Sequence, residues 1–474
     1  MIHELTPLDN AFLLLEVPGS AMNIGAVIKL ETGHRTDSTA RFELLRNTVA
    51  ERLHELPVFT QRVVRAPLDL AWPFLVADAE FDIARHVIRC SLPEPGSGEQ
   101  LDELIAEFWS RPLLRDRPLW QMIVVDGLAD GHTVVALKVH HSLADGVSGA
   151  ETFARLFDVT PEIRVPEPCT LSPESVATTT PRFFVEGCAE LARHPTRLVK
   201  KVVSWLLRIW SVGVMVANSI VLRRRRVNPS RPSIFEARRT SFCGTPGQEK
   251  AFRSLLVPLD DAKRAAKSRG ATVTDFVTAV VSGALRRLME DRGEVLEKDL
   301  VAFVPINVRG DGPTAVLGNR ISCKLVPLHA DVANPEKRLA AIARDSANTA
   351  SIPRPSGDTM LQRTAHLLGP TFLAVGARVA SRFGLFNVAP PIANVMISSL
   401  PGSPISLWLS GLSVQSIAPV GPLLGAFALN ITALGYCDNL EFGLLGATNR
   451  VPDVGLLRDY LLAEANMLID ATAS

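Results

Sequence analysis

Two adjacent histidines followed by an Asp-Gly pair form the segment of this chain with the clearest chemical potential. His140 and His141 come directly after the apolar, β-branched run 133–139, and Asp145-Gly146 follows three residues later. Histidine has the side chain whose ordinary pKa lies nearest neutrality, so it can take a proton from an alcohol and return it to a leaving group. The segment therefore predicts a proton-transfer site at a strand end, with Asp145 either orienting the histidine directly or holding the loop through an arginine.

The histidine pair has two other possible interpretations besides proton transfer. A histidine at the end of a strand is often purely structural, and adjacent histidines can bind a metal ion. A zinc site needs three or four ligands, and none of the other histidines, among ten in the chain, stands at close helical spacing to this pair. We therefore predict no metal site here.

The flanking sequence indicates which elements position the pair. The run 133–139 predicts a buried or half-buried strand, and the apolar spacing over 147–158 predicts a helix, so the motif lies on a strand–turn–helix junction. Strand-like and helix-like segments also alternate elsewhere, which predicts an α/β or α+β fold. Strands are predicted at 21–30, 120–125, 252–259, 301–309 and 394–400, helices at 41–55, 101–110, 260–269 and 272–290, and a hairpin over 428–446.

Length and composition limit the domain organisation and the class of protein. A chain of 474 residues is too long for one ordinary core, and we predict an N-terminal domain over 1–175, a connecting segment over 176–248 and a C-terminal domain over 249–474. A net charge of +1 does not favour nucleic acid as a partner. The six scattered cysteines lack a C-x-x-C spacing and predict free thiols in a reducing compartment. No secretory signal is recognisable at the N-terminus.

The connecting segment contains an apolar stretch with basic ends. Residues 202–222 are interrupted by Arg208 and are flanked by Lys200-Lys201 and by 223–226, four arginines. The stretch is long enough to span a bilayer, but an arginine at the bilayer centre costs about 2.5–3.5 kcal/mol. A helix lying in the interface, with basic ends on anionic headgroups, costs less, and a buried connecting helix is the alternative. We expect a cytoplasmic protein associated peripherally with the inner face of the cell membrane.

The His140–Gly146 segment with Ser148 resembles the motif of coenzyme A-dependent acyltransferases of the chloramphenicol acetyltransferase-like superfamily, which includes the condensation domains of peptide synthetases. Further segments resemble the bifunctional wax ester synthase/diacylglycerol acyltransferase family, and the resemblance runs nearly end to end, from Leu5 to about Tyr460. The segments that carry it are 5–12, 22–25, 118–120, 304–309, 318–320, 394–402 and 429–431.

The resemblance implies a fold and a reaction. The fold would be two chloramphenicol acetyltransferase-like domains forming a pseudo-dimer with a central channel. Acyl-CoA would enter from one side as co-substrate, with no other cofactor, and the acceptor alcohol from the other. His141 would deprotonate the hydroxyl of a diacylglycerol or a long-chain alcohol, the oxygen would attack the thioester, and coenzyme A would leave without an acyl-enzyme. A membrane or lipid-droplet surface is the expected further partner.

The resemblance also suggests roles for residues outside the histidine pair. Arg309 is the expected partner of Asp145, with a solvated arginine as the alternative, and Ser148 and Asp275 are expected to orient the site. Pro118, Leu119 and Trp120 are expected to line the acceptor pocket, although Trp120 also fits an ordinary core position. Asn430 is expected to donate to the oxyanion or to orient substrate, because a buried amide needs a partner.

Two positions depart from the family pattern. The family often has Asn where this chain has Thr274, and Asn where it has Ser399. These departures put substrate preference and catalytic strength in question more than the reaction class. A peptide-synthetase-like condensation enzyme and a catalytically weak lipid-binding homologue remain the alternatives to an active O-acyltransferase.

Overall fold

The computed structural model describes residues 3–5, 7–32, 37–65, 73–143, 154–164, 237–295, 299–307, 321–350, 375–376, 378–388 and 390–473. The apolar segment 202–222 and residues 147–153 of the helix predicted over 147–158 lie outside these residues. At the described end of that predicted helix only Ala154 is helical, and Asp158 instead forms a β-bridge with Trp408.

The helices and strands that lie wholly within the described residues are as follows. The helices are α1 Pro7–Leu15, α2 Ser38–Arg52, α3 Gly98–Ser110, α4 Leu259–Lys267, α5 Val273–Asp291, α6 Pro335–Ala350, α7 Leu385–Val388 and α8 Val454–Ala473. The strands are β1 His3–Glu4, β2 Asn23–Leu30, β3 Gln61–Val64, β4 Phe74–Ala77, β5 Val87–Ser91, β6 Trp120–Asp126, β7 Thr133–His140, β8 Lys250–Pro258, β9 Val301–Asn307, β10 Ile321–Pro327, β11 Val395–Leu400, β12 Trp408–Leu409, β13 Leu412–Val420, β14 Leu429–Tyr436 and β15 Asn439–Ala447.

The first unit is built on a six-stranded mixed sheet with the order β12-β13-β2-β7-β6-β5. Strand β7 lies at its centre, and every residue of this strand is buried because both faces of the sheet are covered. This explains why its sequence is a continuous apolar run rather than an alternating one. Helix α2 and the small sheet β1-β4-β3 cover one face, and helix α3 covers the other.

The second unit repeats this architecture with a six-stranded mixed sheet in the order β10-β9-β11-β14-β15-β8. Strands β14 and β15 pair in register from Leu429 with Gly446 to Tyr436 with Asn439, which confirms the predicted hairpin. Helices α4, α5, α6 and α8 bury apolar side chains against one face of the sheet and form the largest core of the protein.

The two units share a sheet and a hydrophobic core across their boundary. Strand β13 follows most of the second unit in the chain, yet it pairs antiparallel with β2 in the first sheet, from Val414 opposite Leu30 to Val420 opposite Gly25. Helix α3 of the first unit shares a core with residues of the second unit, including Phe252 and Leu445. The predicted division at 175 and 249 stays a prediction, since the connecting residues 165–236 are outside the described ranges.

Candidate active site

The histidine pair lies where β7 ends. His140 is the last residue of the strand, and a turn over 141–143 follows it. Both neighbouring elements of the sheet hold this end through the main chain: the N–H of His140 donates to Leu119 O at 2.9 Å, and the N–H of His141 donates to Met22 O at 2.7 Å. The backbone of both histidines is therefore fixed by the scaffold, as the sequence predicts for a strand end.

The imidazole of His141 stacks on an aromatic ring from helix α1. Its centroid lies 4.3 Å from the Phe12 ring with an interplanar angle of 23°, and the residue is 9 % exposed. The chain just after α1 is tied to the segment that precedes β6 by an ion pair between Glu16 and Arg115. Helix α1 thus orients the ring of His141, a role that the spacing of the motif did not predict.

His140 is buried and participates in the turn. Its Nδ1 lies 2.7 Å from Ser142 Oγ and accepts the Ser142 N–H at 3.1 Å. Because Nδ1 is an acceptor here, the neutral ring carries its proton on Nε2. Burial, and then the positive charge of Arg115 and the neighbouring His141, hold the pKa of His140 well below its ordinary value. His140 is therefore a neutral ring that braces the turn carrying His141.

Four residues predicted to act with the histidines lie outside the described residues: Asp145, Gly146, Ser148 and Arg309. Their predicted roles, including the pairing of Asp145 with Arg309, stay predictions.

The Pro118-Leu119-Trp120 segment packs into the first core and supports the end of β7. The carbonyl of Leu119 accepts the His140 N–H. The Trp120 Nε1–H donates to Phe59 O at 2.7 Å, and its ring stacks on His86 at 4.6 Å. These contacts satisfy the polar atom of Trp120 and match the ordinary core position considered from the sequence. A role for the segment in the acceptor pocket stays a prediction.

Asn430 lies on β14, and both of its amide atoms bond to protein groups. Its Nδ2 donates to Pro422 O at 3.0 Å, and its Oδ1 accepts the Thr432 hydroxyl at 2.8 Å. The next residue of that loop, Leu423, accepts a hydrogen bond from the Ser20 hydroxyl of the first unit at 2.7 Å. Asn430 thus braces a loop that joins the two units, and its predicted contact with substrate stays a prediction.

Asp275 orients the start of helix α5. Its carboxylate accepts the N–H of Thr272 at 2.8 Å and the Thr272 hydroxyl at 2.7 Å, while Thr272 Oγ1 accepts the Asp275 N–H, which completes a capping box. Thr274, one of the two departures from the family pattern, is exposed beside this cap. Ser399, the other, is half-buried on β11 opposite Ala433.

Asn23 is a residue next to the histidines that the sequence did not single out by chemistry. It begins β2 and is the register partner of His140 on β7. Asn23 is 2 % exposed, and neither amide atom has a hydrogen-bond partner among the described residues. The only signal in the sequence was its place in the 22–25 segment, which resembles the family.

One group of possible metal ligands is found in the described part of the chain, far along the sequence from the histidine pair. The ligand atoms of Asp299, His329 and Asp331 lie within 4.8 Å of one another. Asp299 already accepts the N–H groups of His329 and Ala330, and the His329 ring lies 2.8 Å from Asp345. These hydrogen bonds account for the group as a turn stabilised by a carboxylate.

A cleft of about 470 Å³ separates the two units beside helix α3. It is lined by residues of both units, among them Lys29, Asp102 and Glu441. Burial raises the pKa of Asp102 to about 7 and that of Glu441 to about 7, in each case against the pull of nearby cations. Two carboxyl groups that titrate near neutrality therefore lie along the boundary between the units.

No helix within the described ranges is both long and apolar enough to cross a bilayer.

Comparison with known proteins identifies the family. Residues 5–277 match the wax ester synthase/diacylglycerol acyltransferase catalytic domain, and residues 317–468 match the C-terminal domain of the same family. The chain belongs to the wax ester synthase/diacylglycerol acyltransferase family. The resemblance predicted from the short motifs is therefore confirmed over most of the chain.

The names of individual relatives agree with this family assignment. A putative diacylglycerol O-acyltransferase of Mycobacterium tuberculosis CDC 1551 is 29 % identical over 458 residues, covering 96 % of this chain and 87 % of that protein. A probable diacylglycerol O-acyltransferase of strain H37Rv is 29 % identical over 463 residues, covering 96 % and 93 %.

Two solved structures share the fold. The wax ester synthase/diacylglycerol acyltransferase from Marinobacter aquaeolei VT8 aligns with a TM-score of 0.68 and 24 % identity, covering 99 % of this chain and 100 % of that one. The first condensation domain of the calcium-dependent antibiotic synthetase aligns with a TM-score of 0.56 and 17 % identity, covering 99 % and 97 %. The predicted two-unit, mixed α/β fold is confirmed.

Proposed function

We propose that this protein is an acyl-CoA-dependent O-acyltransferase that moves a long-chain acyl group to the hydroxyl of a diacylglycerol or a long-chain alcohol. The observation that carries the proposal is the position of His141: its backbone is fixed at the end of a buried strand, and its ring is oriented by stacking on Phe12. Family membership supports the substrate classes, since the relatives are named as diacylglycerol O-acyltransferases.

In the proposed reaction His141 is the general base. It takes the proton of the acceptor hydroxyl as the hydroxyl oxygen forms a bond to the thioester carbonyl carbon. The resulting tetrahedral intermediate collapses with cleavage of the C–S bond, and the thiolate of coenzyme A leaves with the proton from His141. Acyl-CoA is the only co-substrate in this scheme, and no cofactor takes part. A neutral His140 beside the base supports this division of roles, because a second positive charge would oppose protonation of His141.

The proposal is tested by acyl transfer from palmitoyl-CoA to three acceptors: dioleoylglycerol, hexadecanol and water. We expect ester formation with one or both alcohols, and His141→Ala should lower kcat by about 10²–10⁴-fold, the usual contribution of a general base. His132→Ala is the matched control, because His132 immediately precedes the opposite end of β7, next to Asp130. Equal release of coenzyme A by the wild type and His141→Ala would contradict the role of His141.

The alternative functions have weaker support. The condensation domains share the fold with this chain at low sequence identity, and fold alone does not specify a reaction. A catalytically weak lipid-binding protein would bind the alcohols without releasing coenzyme A in the same assay.

We also propose that the protein works at a membrane or lipid-droplet surface on the cytoplasmic side. The support is the sequence of 202–222, with its tryptophans and basic flanks. Binding through basic residues weakens with salt, because about 1 M salt shortens the Debye length to about 3 Å. Flotation with phosphatidylglycerol-containing vesicles should therefore recover the protein at low salt and lose part of it at high salt. Failure to float at low salt would contradict this proposal.

A further inference from the structure

The amide of Asn23 is buried beside the histidine pair without a protein partner in the described structure. The residue is 2 % exposed, and both Nδ2 and Oδ1 lack a hydrogen bond there. A buried amide in this state has lost its hydration without replacement, which destabilises the folded protein. Such groups are rare in folded proteins, and a bound ligand is one way in which their hydrogen bonds are completed.

The backbone brings this amide next to the catalytic strand end. Asn23 pairs with His140 across β2 and β7. The His140 N–H points to the opposite neighbour, Leu119, whereas the His141 N–H bonds to Met22. The Asn23–His140 pair is therefore of the non-hydrogen-bonded type, in which facing side chains lie closest.

Three other buried polar atoms without partners in the described structure belong to side chains of this end of the first sheet or to side chains linked to it. They are Nε2 of His140, Nε1 of Trp109 and Nη1 of Arg115. Trp109 packs on Gly25, which lies on the same face of β2 as Asn23, and the charge of Arg115 acts on His140. Side chains from several separate segments thus bring unused hydrogen-bonding atoms to one end of the first sheet, which is the pattern of a site completed by a ligand.

The chemistry of the unused atoms distinguishes between the two substrates. The indole and guanidinium N–H groups only donate, so they match a thioester carbonyl, which only accepts. The amide of Asn23 offers one donor and one acceptor, and an alcohol hydroxyl likewise donates and accepts. We propose that Asn23 binds the reacting hydroxyl of the acyl acceptor. This inference rests on the proposed function.

In this arrangement the Nδ2–H of Asn23 donates to the hydroxyl oxygen, and the hydroxyl hydrogen points to His141. As the proton passes to His141, negative charge develops on the oxygen, and the hydrogen bond from Asn23 strengthens. Asn23 therefore stabilises the transition state more than the bound alcohol, and its removal lowers kcat as well as the affinity for alcohol.

The test compares two buried asparagines. Asn23→Leu removes the unused amide at similar volume. Asn394→Leu is the matched control, because Asn394 is 0 % exposed and uses both amide atoms, accepting the Val301 N–H at 2.8 Å and donating to Arg238 O at 2.6 Å. Melting temperature is measured together with initial rates, in which palmitoyl-CoA and hexadecanol or dioleoylglycerol are varied separately.

We expect Asn23→Leu to keep or raise the melting temperature while kcat/KM for the alcohol falls about 100-fold or more. The KM for palmitoyl-CoA should stay within about twofold of the wild-type value, because its carbonyl contacts other groups. Asn394→Leu should lower the melting temperature by about 2–4 °C and leave the rate per folded molecule unchanged.

Three results would overturn the inference. They are a loss of melting temperature in Asn23→Leu equal to that in Asn394→Leu, unchanged kinetics with alcohol, and an effect confined to the KM for palmitoyl-CoA. A wild-type protein that acylates no alcohol would overturn the proposed function as well, and this failure is recognisable because it occurs without any substitution.

Discussion

Buried asparagines of the two units differ in whether their side-chain amides form hydrogen bonds. In the second unit Asn394 and Asn430 each use both amide atoms in hydrogen bonds to the protein. In the first unit Asn23 uses neither within the described structure. The buried amides of Asn394 and Asn430 in the second unit thus have hydrogen-bond partners, whereas the amide of Asn23 beside His140 has none within the described structure. This contrast is what the proposed binding of the acyl acceptor by Asn23 predicts.

The second unit also supports the part of the first unit that contains Asn23. Asn430 holds Pro422, and Leu423 accepts the hydroxyl of Ser20, which lies three residues before Asn23. Lys250 of the second unit donates to Gly19 O at 2.7 Å in the same corner. A site that leaves buried polar atoms unpaired needs such external support, since its own contacts do not stabilise it.

The largest effect on stability is expected in the first core. Trp120→Ala should lower the free energy of unfolding by about 3–5 kcal/mol, because the ring is 2 % exposed and packs on His86 and Phe59. Trp120→Phe keeps a ring and loses only the N–H donor, so a smaller loss is expected. Urea unfolding measures both. A raised KM for alcohol with unchanged stability would instead support the predicted role in the acceptor pocket.

In the second unit, Gly283→Ala should cost up to about 3–5 kcal/mol, the usual cost of breaking a buried ion pair. A Cβ at this position would collide with the buried carboxylate of Glu464 and the guanidinium of Arg338, which pair with each other. Gly98→Ala is the control, because nothing lies near a Cβ there. Transfer per folded molecule should be retained. If Gly283→Ala lowered kcat without lowering stability, the second unit would have more than a structural role.

Asn430→Ala sharpens the comparison between asparagines. We expect a loss of about 1–3 kcal/mol in unfolding free energy, because Pro422 O and the Thr432 hydroxyl lose their partner. Denaturant unfolding and transfer rates should be measured on the same samples. A fall in kcat/KM at unchanged stability would show that Asn430, and not only Asn23, contacts substrate.

The smallest expected effect concerns pH and the boundary between units. Burial raises the pKa of Glu441 from 4.5 to about 7, while its Oε2 accepts the Ile417 N–H. The folded state thus binds a proton that the unfolded state has released, so stability falls as pH rises from about 4.5 through about 7. Glu441→Gln should flatten this slope, by on the order of 1–2 kcal/mol at neutral pH.

Asp102, which lines the same cleft, provides the control for the pH experiment. Burial raises the pKa of Asp102 to about 7 as well, so part of the slope should remain in Glu441→Gln and become smaller when Asp102→Asn is added. Melting temperatures across the pH range report both effects. If the stability of Glu441→Gln depended on pH as steeply as that of the wild type, the raised pKa of Glu441 would be contradicted.

The sequence predicted the elements that depend on local pattern. The apolar run 133–139 correctly indicated a buried strand ending at the histidines, and the spacing around Asp438 correctly indicated a hairpin. The pairing of β13 with β2 was not predictable in this way, because cross-strand register between distant segments depends on tertiary packing and not on a local period.

The site was predictable only for the residues with distinctive chemistry. His141 stands out because few side chains transfer protons near neutral pH. Asn23 has no such signature, and its proposed role rests on an amide without a hydrogen-bond partner, which only a packed structure reveals. Phe12 was equally hidden, since the stacking of its ring on His141 depends on how α1 packs on the first sheet.

Strand β13 belongs to the first sheet but is encoded late in the chain, so the first sheet is completed late during synthesis. Leu423, which bonds to Ser20, leaves the ribosome 403 residues later. Until then β2 has an open edge beside the histidine strand, and an unpaired edge is a template for aggregation. The histidine end of the first unit is encoded early, yet it is among the last parts of the fold to be completed. A chain truncated before β13 would carry both histidines and no finished site.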